Sequence, residues 1–303
     1  MKKRQYWRVI ALPLIFVAIN TILSNSARGQ ATSLGDTDTF HRRVPLAAGM
    51  CDETAEASPL KDAFRQACLR KRTAVTEPTT RNAIVIGFVG GFVHHDNAKH
   101  PEVQFAAYLR DRYPSAIHAE VFANHEGQKA LREVLRILDT DRDGVLTAAE
   151  KEQANIIIYG HSWGASQSVT LARELGRRGI PVLLTIQIDI IGKPGQGGST
   201  IPPNVISAVN FYQPRGLLHG HSQIRAADPA RTKILGNFRM TYEGRRINCN
   251  NYPWIARVFN KPHHEIENDP RVWDQAASLI DSEMSSPRST AEVSSPSQPL
   301  LFK

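Results

Sequence analysis

The sequence predicts an α/β fold, a mostly parallel sheet with helices on both faces. Three observations predict it. Apolar runs of strand length alternate with helical periodicities along most of the chain, the order that builds parallel sheets through crossover helices. Several of these runs are continuous rather than alternating, as strands buried on both faces are. A chain of 303 residues, 41% hydrophobic and 22% charged, is long enough to bury one substantial core.

The elements follow in order. Ser58-Pro59 opens a helical segment over Leu60–Arg72. The run Ala83–Val89 reads as a buried strand and ends in Gly90-Gly91. Pro101–Arg112 reads as a helix with Val103, Phe105, Ala106 and Leu109 on one side. Ile117–Phe122 is a strand, and Gln128–Leu138 is a helix with Leu131, Val134, Leu135 and Leu138 in register. Asn155–Tyr159 is a strand, followed by a helix over Ala165–Leu175. Val182–Ile188 and Val205–Tyr212 are further apolar strands, and Asp269-Pro270 caps a final helix. The stretches 193–203 and 213–246 carry no decisive pattern. After Ser285 the chain is rich in Ser and Pro, the composition of a disordered tail.

The ends of the chain set its charge and destination. Lys2, Lys3 and Arg4 precede an apolar run from Val9 to Leu23, then the polar, small stretch Ser24–Gly29. This is the order of a secretory signal cleaved near residues 29–31, giving a periplasmic or secreted protein. An uncleaved anchor is the alternative, but the run is short for a span and contains Pro13 and Asn20. Residues 1–29 hold five basic side chains and no acid, so their removal takes the formal charge from +8 to +3. That leaves no basic stripe for nucleic acid. The expected organisation is a signal over 1–29, an arm and helix over 30–79, one domain over 80–283 and a tail over 284–303. Export permits disulfides, and Cys51 and Cys68 could pair, leaving Cys249 over; all three read as structural or idle.

Gly160-His161-Ser162-Trp163-Gly164 lies between a strand and a helix. In that setting a serine rides a tight turn that lifts its hydroxyl to the carboxyl edge of the sheet. A serine nucleophile needs a base, and the base an orienting acid. Asp189 ends the next apolar strand, at the same edge. His263 and His264 lie before the last helix, where the base is expected; His219 and His221 are rivals, or a fragment of a metal site with no third ligand evident. An oxyanion hole needs two backbone N–H groups. Trp163 would supply one, and Gly91 or Phe92, after the early strand, the other. His94, His95 and Asp96 would line the mouth.

These pieces together resemble the α/β-hydrolase family, particularly its lipase- and esterase-like members, over roughly residues 80 to 283. The matching segments are Gly87–Gly91, the Ser162 elbow, Asp189 and the His263 loop; Asn210-Phe211-Tyr212-Gln213 also looks like a segment of uncharacterised hydrolases. The resemblance implies a serine hydrolase with Ser162, Asp189 and His263 as its triad, His264 being the alternative base. Ile266, three residues after His263, favours His263. The family often carries its acid one strand later. The implied substrate is a small or lipid-like carboxylic ester or thioester, with no catalytic cofactor.

A second motif lies inside the first. Asp139–Glu150 matches a twelve-residue EF-hand loop: Asp139, Asp141 and Asp143 at positions one, three and five, Gly144 at six, the Val145 carbonyl at seven, Thr147 at nine and Glu150 at twelve. The helix Gln128–Leu138 enters it, only a short helix over Ala148–Gln153 leaves it, and no second loop pairs with it. That predicts a structural calcium clip just before the nucleophile strand rather than an opening sensor. The competing reading of the whole chain is an exported calcium-binding module with an inactive hydrolase fold.

Overall fold

The computed structural model describes residues 82–193 and 198–285. The signal segment, the arm with its Leu60–Arg72 helix, Cys51, Cys68 and the Ser- and Pro-rich tail lie outside the described residues. Among those described, the chain runs β1 (Ala83–Val89), α1 (Pro101–Arg112), β2 (Ile117–Ala123), α2 (Gly127–Leu138), α3 (Ala148–Glu152), β3 (Ile156–His161), α4 (Trp163–Gly176) and β4 (Val182–Ile188). It continues through β5 (Thr200–Ile201), β6 (Val205–Tyr212), β7 (Arg225–Ala226), β8 (Lys233–Arg239), α5 (Trp254–Phe259), α6 (Lys261–Glu267) and α7 (Pro270–Ser285).

The six-stranded sheet has the order β2-β1-β3-β4-β6-β8, and every pairing in it is parallel. The strand pleat sorts the apolar side chains. Val85, Val89, Ile157, Tyr159, Ile186 and Ile188 meet α1 and α7 through Phe105, Leu109, Val272, Trp273 and Ile280. Ile84, Ile86, Phe88, Ile156 and Ile158 meet α2 and α4 through Leu131, Val134, Val169 and Leu175. Burial on both faces is why the central strands β1, β3 and β4 are largely apolar. Each Val, Leu, Ile or Phe so buried is worth roughly 1.5–3 kcal/mol. Among the described residues no helix is long and apolar enough to cross a membrane.

The strand order reverses between β1 and β3, since β2 follows β1 on one side and β3 joins it on the other. Sites in open parallel sheets form at the carboxyl ends of strands flanking such a switch point. Gly90-Gly91 follows β1 there, and Ser162 follows β3. Two features differ from the sequence reading. β8 was not expected in 213–246; its residues are only partly buried, and an edge strand carries a weak apolar signal. His263 and His264 lie on the helix α6, not in a loop; a seven-residue segment starting with Lys-Pro shows no helical period to read.

Candidate active site

The site grows from the end of β3. Ser162 has φ 58° and ψ −121°, a conformation that costs a non-glycine residue about 1–3 kcal/mol. It is bracketed by glycines that close approach requires. A Cβ on Gly160 would lie 2.5 Å from the Gly164 carbonyl carbon, and one on Gly164 would overlap the Phe88 carbonyl oxygen. The Ser162 N–H donates to the Ile188 carbonyl at 2.9 Å, fixing the turn against β4. Its hydroxyl is buried with no hydrogen-bond partner.

Asp189 follows β4 with φ 45° and is fully buried. Four donors surround its carboxylate. The Gln213 N–H and Gly220 N–H reach Oδ1 at 3.2 and 2.8 Å, and the Gln213 amide and His263 Nδ1 reach Oδ2 at 2.9 and 2.6 Å. A carboxylate met by four donors holds its partners in place. With Nδ1 bound to Asp189, His263 leaves Nε2 as the nitrogen that can take a proton.

The structure brings Asp189 and His263 into direct contact, whereas the Ser162 hydroxyl makes no hydrogen bond to either; the ring of its neighbour His161 lies 4.5 Å from that of His263. His264 turns elsewhere. Its ring stacks on Tyr252 at 3.7 Å, both its nitrogens lack partners, and burial, followed by His263, pushes its pKa down to about 2. His219 meets the Gly216 carbonyl, and among the described residues neither it nor His221 belongs to a metal-ligand group. Asp228 lies away from these groups and caps the turn to Ala230.

The residues expected to form the oxyanion hole sit at the mouth. Phe92 packs edge-on against Trp163, with centroids 5.7 Å apart. Gly91 takes φ 50°, and its carbonyl accepts from the Asn124 amide, which turns the following peptide. Lys193 donates to the Asn124 carbonyl at 2.7 Å, linking the loop after Asp189 to this corner. His94 pairs with Asp96 and His95 with Glu126 on the exposed rim.

The loop 139–150 adopts the turn its sequence implies. Gly144 has φ +83°, and its N–H donates back to Asp139 at 3.0 Å. Thr147 and Glu150 form a capping box on α3. Glu150 also accepts from the Thr140 N–H and hydroxyl at 2.7 and 2.8 Å. The Thr147 N–H, with the Thr140 groups, holds its carboxyl down to about 2. Asp139, Asp141 and Glu150 each offer an oxygen within 4.8 Å of the others, and one Asp139 oxygen is buried without a partner. This donor set fits a hard cation. Two-oxygen ligation by Glu150 would replace its two threonine-hydroxyl bonds. Val145 and Asp143 are exposed at the rim of the loop.

Two groups of residues escaped the sequence reading. Gly220, and the role of Gln213 in holding Asp189, fall in the unpatterned stretch after β6, although Gln213 closes the segment Asn210–Gln213 singled out above. His100, Glu102, His161 and Glu267 form a buried polar cluster beside the elbow; its members come from separate parts of the chain, and no sequence pattern joins them.

No protein-family model matches the chain, and neither does any curated protein. Among solved structures, a protein assigned to the α/β hydrolase superfamily from Xanthomonas campestris pv. campestris is similar at 14% identity, covering 66% of this chain and 99% of that one, with a TM-score of 0.32. A cutinase-like protein from Cryptococcus sp. is similar at 11% identity, over 70% and 100% of the two chains, with a TM-score of 0.35. A Trichoderma reesei cutinase matches at 12% identity, over 81% and 95%, with a TM-score of 0.28. Likeness at this level carries no argument about activity. The six-stranded parallel sheet with helices around it is that of an α/β-hydrolase-like fold.

Proposed function

We propose that the protein is an exported serine hydrolase that cleaves a carboxylic ester or thioester through an acyl-Ser162 intermediate. The observation that carries the reading is the Asp189–His263 pair, at 2.6 Å, at the same sheet edge as a strained Ser162 turn. In this mechanism the Ser162 hydroxyl attacks the substrate carbonyl while His263 Nε2 takes its proton. Asp189 holds the imidazole in the tautomer that leaves Nε2 free to accept. N–H groups of Trp163 and of Gly91 or Phe92 would face the developing oxyanion. The protonated His263 then donates to the leaving group, and a water, activated by the same nitrogen, releases the acid. A buried carboxylate with four donors favours this reading over an inactive calcium module. Labelling of the full chain by a fluorophosphonate probe tests it; an unlabelled, folded protein would reject the serine nucleophile.

The two neighbouring histidines give a sharper test. His263→Ala is expected to lower kcat about 10⁴-fold. His264→Ala removes a ring that only stacks, so it should cost about 1–3 kcal/mol of stability and leave turnover closer to wild type. The opposite order, read with a chromogenic short-chain ester, would make His264 the base.

The same reading includes calcium held by Asp139, Asp141, Asp143, the Val145 carbonyl, Thr147 and Glu150. The loop joins α2 to β3, so an ion there would pin the entry to the nucleophile strand without touching the reacting groups. Binding to the folded state alone adds about 2.7 kcal/mol at a hundredfold excess over Kd. Calcium is therefore expected to raise the melting temperature of the wild type and not of Glu150→Gln, with activity below melting little changed. Absence of binding heat in titrations of both proteins would reduce the loop to an acidic turn.

A further inference from the structure

Beside the elbow, four polar side chains meet in the protein interior. His100 is 3% exposed, Glu102 and Glu267 0%, and His161 1%. They come from separate parts of the chain: His100 and Glu102 from the start of α1, His161 from the last position of β3, and Glu267 from the end of α6. His100, Glu102 and Glu267 each present a ligand atom within 4.8 Å of the others. His161 Nδ1 lies 3.7 Å from Glu102 Oε1 and 3.8 Å from Glu267 Oε2.

Two facts make this cluster unlike an ordinary buried network. Neither Glu102 oxygen and neither His161 nitrogen has a hydrogen-bond partner. Among the described residues, Glu102 and Glu267 form ion pairs with histidines and with no Lys or Arg. Two carboxylates in one buried cluster need compensating positive charge or protons. We propose that His100, Glu102, His161 and Glu267 bind a zinc-class divalent cation that ties the nucleophile elbow to the helix carrying His263.

The chemistry suits that ion. Two imidazoles and two carboxylates select a borderline transition metal over calcium or magnesium, which prefer oxygen alone. Tetrahedral ligation at roughly 2.0–2.2 Å places ligand atoms about 3.3–3.6 Å apart. The two His161 contacts are close to that edge. The 2.7 Å contact between His100 Nδ1 and Glu267 Oε1 is a hydrogen bond that opens when the metal takes the place of its proton. A dication with two carboxylates leaves the cavity neutral. Outer partners already orient the ligands, as metal sites require. Tyr252 donates to Glu267 Oε2 at 2.5 Å, and the backbone carbonyls of Glu102 and Glu267 accept from Tyr159 and Trp273 at 2.7 and 2.6 Å.

The test does not depend on turnover, so it stands or falls apart from the hydrolase reading. The full chain is refolded with zinc sulfate, in excess calcium so that the loop 139–150 is saturated, then dialysed and analysed for metal. The expected content is about one zinc per chain, with a melting temperature several degrees above that of protein refolded with a zinc chelator. Glu102→Gln should fall to less than about a tenth of that content, while Glu150→Gln keeps it all. If Glu102→Gln does not fold, cobalt(II) refolded into the wild type supplies the answer through the visible absorption of a tetrahedral nitrogen–oxygen site. Wild-type protein that folds with zinc yet retains none, shows no tetrahedral cobalt band, or binds zinc equally well as folded Glu102→Gln would overturn the site and leave a proton-sharing carboxyl pair.

Discussion

Ser162→Ala is expected to lower kcat for short-chain esters by about 10⁴-fold or more while leaving the protein at least as stable. The first effect follows from the proposed role: without the hydroxyl there is no acyl-enzyme, and only binding and oxyanion stabilisation remain. The second follows from the local structure. The hydroxyl is buried and accepts or donates no hydrogen bond, so deleting it removes a desolvation cost rather than a favourable contact. The turn itself rests on Gly160, Gly164 and the Ser162 backbone bond to Ile188, none of which the substitution alters. Loss of ester hydrolysis and of fluorophosphonate labelling, with unchanged or raised melting temperature, is the expected pair of results. Undiminished hydrolysis by the purified variant would remove Ser162 from the mechanism.

Much of this arrangement was legible in the sequence because it sits at strand ends. An apolar run that stops at a polar residue marks the carboxyl edge of a buried strand, and both Ser162 and Asp189 stand at such a stop. Val182–Ile188 and Val205–Tyr212 are strands with the bounds the sequence implied, because full burial on both faces makes the hydrophobic signal end sharply. The partner of Asp189 was half legible: two adjacent histidines were in view, but which of these two buried rings meets Asp189 depends on the rotation of α6, and a short helix carries too few periods to reveal it. The shell that holds Asp189 was legible only as the segment Asn210–Gln213, with no role for Gln213 and no sign of Gly220. Gln213 and Gly220 act through a backbone N–H each and one side-chain amide, groups that leave no compositional mark. The cluster beside the elbow was hidden for another reason. Glu102 occupies a helix's first turn, where an acid is ordinary, and only the packing of α6 against it exposes the second carboxylate.

Asp189→Asn is expected to be the other severe substitution, and it separates a catalytic carboxylate from a merely structural one. The carboxylate accepts from His263 and from three Gln213 and Gly220 donors. An asparagine amide has one oxygen to offer. If that oxygen stays with the Gln213 and Gly220 N–H groups, the new NH₂ faces the Gln213 amide and His263 Nδ1. The imidazole can then meet it only as an acceptor, which moves its proton to Nε2, the nitrogen that must take the serine proton. If the amide flips, its NH₂ faces two backbone donors instead. Either way one donor is left against another, at a cost of about 1–3 kcal/mol, or several degrees of melting temperature for a chain of this size. The tautomer effect on turnover is much larger, about 10⁴-fold in kcat. The expected result is therefore a folded protein with a modestly lower melting temperature and almost no turnover. A variant that melts several degrees lower yet turns over within about tenfold of wild type would show that Asp189 only braces the loop.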